Sequence, residues 1–136
     1  MQTLGPMNPA DLFRHEKETV NLAPGDVLFH AGDAGQDMYV LLEGALEVRL
    51  GDKVVESASP GAMVGEMALI DDSKRTATVV AVAPSKLVPI NLRRFHFLVQ
   101  QNPFFASHVM KVMVERLRQM NQRLNSLSPV GSADQS

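Results

Sequence analysis

Turn signals arrive at close intervals through the middle of this chain, and their spacing constrains the fold more than any other feature. They are Pro24-Gly25-Asp26, Gly32-Asp33, Gly44, Gly51-Asp52 and Pro60-Gly61. Glycine reaches backbone angles closed to other residues and proline fixes its own, so these positions reverse the chain. Between them lie short β-prone runs: Val27 to His30, Met38 to Glu43, Ala45 to Leu50 and Lys53 to Ser57. Short strands with turns about every 8–12 residues define a sandwich, roll or barrel. Leu46, Val48 and Leu50 alternate with Glu47 and Arg49, which predicts one buried and one wet face.

Thr76 to Ala83 is a continuous run of β-branched and small apolar residues, the pattern of a strand buried on both faces. Lys86 to Ile90 reads as a further strand entered through Pro84-Ser85. The period then changes. Asn91 to Gln101 reads as a helix with Asn91 as N-cap and Phe95, Leu98 and Val99 on one side. Asn102-Pro103 breaks it, and a second helix runs to about Leu127, where Ser128-Pro129 stops it. Near the N-terminus, Asn8-Pro9-Ala10-Asp11 reads as a helix start with Leu12 and Phe13 as apolar contacts. The expected fold is mainly β with flanking helices. It is a jelly-roll-like β-roll with a short N-terminal helix, a phosphate-binding turn of helix and two C-terminal helices. The expected division is a leader and short helix over 1–17, a roll over 18–90, helices over 91–127 and a disordered tail over 128–136.

Length and composition narrow the function. A chain of 136 residues builds one core, and 45% hydrophobic with 21% charged residues is the balance of a soluble globular protein. A net charge of −2 supplies no general attraction for nucleic acid. The absence of cysteine excludes a disulfide framework and thiolate chemistry. No apolar run approaches the roughly 18–20 residues of a membrane span, and the first ten residues lack the plan of a signal peptide. A cytoplasmic protein with no membrane partner is expected.

The informative segment runs from Val64 to Thr78. Gly65 allows close backbone approach to a ligand, and Glu66 to Ile70 is long enough for one helical turn whose free N–H groups can cradle an anion. Arg75 offers a fixed fork of donors suited to phosphate, while ionised Glu66 only accepts and so needs donors such as sugar hydroxyls. A phosphate with an attached ribose satisfies all of these groups.

Gly65-Glu66-Met67-Ala68-Leu69 followed by Arg75-Thr76-Ala77 resembles the phosphate-binding cassette of the cyclic-nucleotide-binding domain family. Pro24-Gly25-Asp26-Val27, Ala31-Gly32-Asp33, Met38-Tyr39-Val40-Leu41 and Glu43-Gly44 match that family's early strands and turns, and the likeness covers roughly residues 18–126. The resemblance implies a sensor domain for cyclic AMP or cyclic GMP, without a further cofactor. Amides near Glu66, Met67 and Ala68, with the Arg75 guanidinium, are implied to hold the cyclic phosphate, and Glu66 to accept from the ribose 2′-hydroxyl. Gly65 and Ala77 belong to the same cassette. Thr76 stands where members place a hydroxyl able to reach the phosphate or a guanine edge, which leaves the preferred base open. Lys74 replaces a frequent proline and Val64 a frequent phenylalanine; neither change removes a ligand-contacting group. The alternative is a ligand-free interaction module on the same roll, with Glu66 and Arg75 paired to each other.

In the second C-terminal helix Met110, Met113, Leu117, Met120, Leu124 and Leu127 fall at alternating spacings of three and four, a heptad seam suited to a homodimer. Phe105, Val109 and Val112 form a second stripe expected to face the roll. Arg116, one residue before a seam position, is the candidate lid contact over the base, and the helix is expected to move when ligand binds. In relatives of the catabolite activator type a DNA-reading helix-turn-helix follows. Here nine residues without a basic one follow Leu127, so no direct DNA binding is expected, and the downstream effector lies outside the sequence. A cupin-type metal enzyme needs several converging histidines. His15, His30, His96 and His108 are scattered, with no His-x-His pair, so no catalytic and no metal-ligating residue is assigned.

Overall fold

The computed structural model describes residues 8–70 and 74–127, and within them the side chains of all but Ile70, Arg123, Ser126 and Leu127. The start of the leader, Asp71-Asp72-Ser73 of the cassette loop and the expected tail lie outside the described residues.

The turn pattern builds two antiparallel four-stranded sheets. One runs β1 (Val20–Leu22), β8 (Ser85–Ile90), β3 (Met38–Glu43), β6 (Met63–Val64); the other runs β2 (Val27–Phe29), β7 (Thr78–Ala81), β4 (Leu46–Leu50), β5 (Lys53–Ala58). Every neighbouring pair is antiparallel, so consecutive hairpins and crossovers close the roll expected from the sequence.

Two cores result. Leu41, Leu46, Val64, Val79, Ala81 and Leu87 fill the space between the sheets. Met38, Val40, Met63, Val88 and Ile90 leave the opposite face of the first sheet and meet Phe105 and Val109 from the helices. Because successive side chains of a strand alternate, β3 and β8 serve both cores at once. This explains the apolar runs 38–42 and 87–90 within them. β7 is likewise buried over Val79, Val80 and Ala81, though it is shorter than the Thr76–Ala83 run.

The caps hold the helices where the sequence puts them. Asn8 accepts from the Ala10 amide at 2.9 Å and opens α1 (Pro9–Leu12). Asn91 accepts from the Arg94 amide at 2.8 Å and opens α3 (Leu92–Gln101). The Asn102 amide closes α3 on the Leu98 carbonyl, and Pro103 starts α4 (Pro103–Leu127). Phe95, Leu98, Val99 and Val112 pack on the helix-side core, and Phe13 meets Phe105 edge-on at 6.2 Å. Leu12, expected beside Phe13 as an apolar contact, is exposed, because the turn buries Pro9 and Phe13, one turn apart, and leaves Leu12 on the outer side. Among the described residues no helix is long and apolar enough to cross a membrane.

Candidate functional site

Arg75 enters the roll just before β7, and its backbone is pinned on both sides. Its amide donates to the Asp33 carbonyl at 2.9 Å, and its carbonyl accepts from the Gly32 amide at 2.8 Å. Arg75 is 8% exposed; its guanidinium turns inward and donates through Nη2 to the Asp37 carbonyl at 2.8 Å and through Nη1 to the Gly65 carbonyl at 3.3 Å. Its Cζ stands 4.1 Å from the centre of the Phe29 ring.

Two glycines make room for it. Gly65 has φ +76°, and a Cβ there would come within 2.6 Å of Nη1. A Cβ on Gly35 would lie 2.5 Å from Nη2 and 2.6 Å from Nε. Only a hydrogen fits in either place.

Glu66 follows Gly65 and is 1% exposed. It precedes the single helical turn α2 (Met67–Ile70), in which the Ala68 and Leu69 amides donate back to the Gly65 and Glu66 carbonyls at 3.2 Å. The Ala68 amide expected to face an anion is therefore already engaged within the turn. Glu66 Oε2 accepts from Nη1 of Arg116, which reaches down from α4. Arg116 Nη2 also donates to the Met63 carbonyl at 2.6 Å and to Glu56 Oε2 at 3.2 Å. Burial alone would depress the Arg116 guanidinium, but the Glu66 and Glu56 carboxylates outweigh it and hold its pKa above the ordinary arginine value. The Glu66–Arg75 pair weighed from the sequence is not formed; each residue has other partners.

These residues line one cavity of about 190 Å³. Gly65, Glu66, Met67 and Ala68 form one side, Lys74, Arg75, Thr76 and Ala77 another, and Arg116, Gln119 and Met120 cross it from α4. Val48, Leu50 and Val55 give an apolar wall. Leu50, expected to be buried by alternation, is exposed because it sits at this cavity, whereas Leu46 on the same face is fully buried. Among the described residues two buried side-chain atoms have no partner, Glu66 Oε1 and Arg75 Nε, and both belong to residues lining the cavity.

The structure adds residues that sequence reasoning missed: Phe29, Gly35, the Asp37 carbonyl, Glu56 and Gln119. Gly35 had a visible signal, a second glycine three residues after Gly32 with no strand to justify it. His15, His30 and His96 are exposed and His108 half-buried. Among the described residues no group of three or more His, Cys, Asp or Glu is placed to hold a metal.

The two-sheet roll, the glycine–glutamate turn and the inward arginine define a known kind of domain. This chain belongs to the cyclic nucleotide-binding domain family, whose family model matches residues 19–102. It is 37% identical over 82 residues to a cAMP-dependent protein kinase regulatory subunit of Hypocrea atroviridis, covering 60% of this chain and 18% of that protein. It is 29% identical over 109 residues to the Cyclic AMP receptor protein of Thermus thermophilus, covering 76% of this chain and 50% of that one. The solved Catabolite Activator Protein of Thermus thermophilus superposes with a TM-score of 0.74 at 27% identity, over 88% of this chain and 59% of that one. The chain thus spans half or less of the two curated relatives.

Proposed function

We propose that this chain is a regulatory sensor that binds cAMP or cGMP in the Arg75–Glu66 cavity, reports binding through α4 and performs no catalysis of its own. One observation carries the reading: among the described residues the unpaired buried side-chain atoms are one charged donor, Arg75 Nε, and one acceptor, Glu66 Oε1, both on residues of a single cavity. Leaving a buried polar group unpaired costs about 1–3 kcal/mol, so the arrangement is explained by a ligand that supplies an anion and a hydroxyl together. A ribose cyclic phosphate carries both. Arg75 with the amides of Glu66 and Met67 takes the phosphate, Glu66 Oε1 takes the 2′-hydroxyl, and Ala68, Thr76 and Ala77 shape the floor. The base lies along Val48, Leu50 and Val55 under α4.

The acting unit is the roll over 18–90 with the helices over 91–127, in the cytoplasm. Met110, Leu117, Met120 and Leu124 are each more than half exposed, which supports a homodimer through the α4 seam. Met113 leans instead on the helix-side core, and the Leu127 side chain lies outside the described residues.

Thermal melting tests the reading. A ligand that binds only the folded chain raises its melting temperature in proportion to ln(1 + [L]/Kd). Millimolar cAMP or cGMP should raise it while 5′-AMP, which lacks the cyclic diester, does so far less. Equal melting with all three and with none would overturn the proposal.

A further inference from the structure

Arg75 is held at its Nη ends by two carbonyl oxygens, one of them at a long 3.3 Å, and nothing bonded to Nε fixes the plane of the group. Two in-plane contacts let a guanidinium tilt out of its plane. The Phe29 ring closes that freedom. It stands at the end of β2, half-buried, with its centre 4.1 Å from Arg75 Cζ, and it lines the same cavity. Behind it the Tyr39 ring lies tilted at 6.3 Å, and a Cβ on Gly65 would touch its Cε2 at 3.4 Å. The ring thus lies between Tyr39 of β3 and the cassette turn, with one side left partly open.

We propose that Phe29 is a positioning residue: its ring face sets the plane of the Arg75 guanidinium and so aims it at the ligand. This rests on the cavity being the nucleotide site. The physical basis is the attraction of a desolvated cation to the negative face of an aromatic ring, together with exclusion of water from that side. Phe29 itself needs no contact with nucleotide. Its effect passes through Arg75.

The test is a double-mutant cycle on the full chain, with nucleotide affinity and Tyr39 ionisation as separate readouts. Phe29→Leu should weaken cAMP or cGMP binding by about three- to thirtyfold, the range a partly to fully desolvated cation–π contact spans. In an Arg75→Ala background the same change should have no further effect. Replacing Phe29 by pentafluorophenylalanine, which keeps the shape and reverses the ring's electrostatic face, should weaken binding in the same direction even if Phe29→Leu fails to fold. Wild-type affinity in these variants, or losses that add in full to that of Arg75→Ala, would overturn the proposal. Tyr39 gives a readout without nucleotide. It is the one tyrosine in a chain with no tryptophan; burial, and then Asp37, raise its pKa above the ordinary tyrosine value, and Arg75 opposes them. Phe29 also borders Tyr39 directly, so the reading is the difference between backgrounds. Perturbing Phe29 should add an upward shift of the Tyr39 absorbance titration in the wild type that is missing in Arg75→Ala. Equal shifts in both would overturn the coupling. If the wild type bound no nucleotide, the sensor reading would fail, while this titration would still support or overturn the Phe29–Arg75 coupling.

Discussion

Arg116 on the last helix donates to the buried carboxylate of Glu66 in the cassette turn, fifty residues earlier in the chain. The contact ties α4 to the cavity directly. With Glu56 and the Met63 carbonyl as further acceptors, one guanidinium joins the helix to β5, β6 and the turn that carries the family's glycine–glutamate pair.

Breaking that contact from one side should be expensive. Arg116→Met leaves the Glu66 charge buried with no partner and should lower stability by about 3 kcal/mol, the size typical of a buried pair stripped of one member. Adding Glu66→Gln removes the stranded charge and should restore most of the loss. Urea unfolding of the two variants measures both. A double variant no more stable than Arg116→Met would show that the pair is not an isolated unit.

The two glycines at Arg75 should behave differently. Gly35→Ala has no left-handed backbone to strain, and its methyl meets only the movable end of Arg75, so folding should survive while nucleotide affinity falls. Gly65→Ala adds backbone strain of about 1–2 kcal/mol at its positive φ, so stability and affinity should fall together. Melting and binding measured on both variants separate the two effects.

The sugar contact is tested on the ligand. Glu66 Oε1 is buried without a donor, so a 2′-deoxy or 2′-O-methyl cyclic nucleotide should bind about tenfold or more weakly than its parent. Equal affinities would remove Glu66 from the sugar site.

His108 gives a pH dependence. Burial, and then the neighbouring Lys111, lowers its pKa below the ordinary imidazole value of 6.5. The unfolded chain therefore takes up the proton first as pH falls. The stability contributed by His108 is complete above pH 6.5 and is lost as pH falls toward its lowered folded pKa. Denaturant midpoints measured from about pH 8 to about pH 5 should decline more steeply in the wild type than in His108→Gln.

The residues show what the sequence makes legible. β3, α3 and α4 lie where periodicity and the caps at Asn91 and Pro103 place them, because each is long enough to show a period. β1 and β6, three and two residues long, are too short to show one and, unlike the equally short β2, are not bracketed by two of the turn signals, so the sequence does not mark them. The same limit applies at the site. Gly65, Glu66 and Arg75 share one short segment whose chemistry reads locally. Phe29, Gly35 and Glu56 join it only through the fold, since Arg75 reaches Asp37 across 38 positions and Arg116 reaches Glu56 across 60. Leu50 shows the converse error. Alternation puts it on the same side as buried Leu46, but at its end of β4 that side borders the cavity and Leu50 is exposed.

Calorimetric titration of the wild type and Arg75→Ala with cAMP and cGMP tests most directly whether nucleotide binds between Arg75 and Glu66. The wild type should give saturable heat with one nucleotide bound per chain. Arg75→Ala should remain folded and bind about tenfold to a hundredfold more weakly, as expected on losing a hydrogen bond from a charged group. No heat from either nucleotide, or equal affinity in the two proteins, would contradict the account.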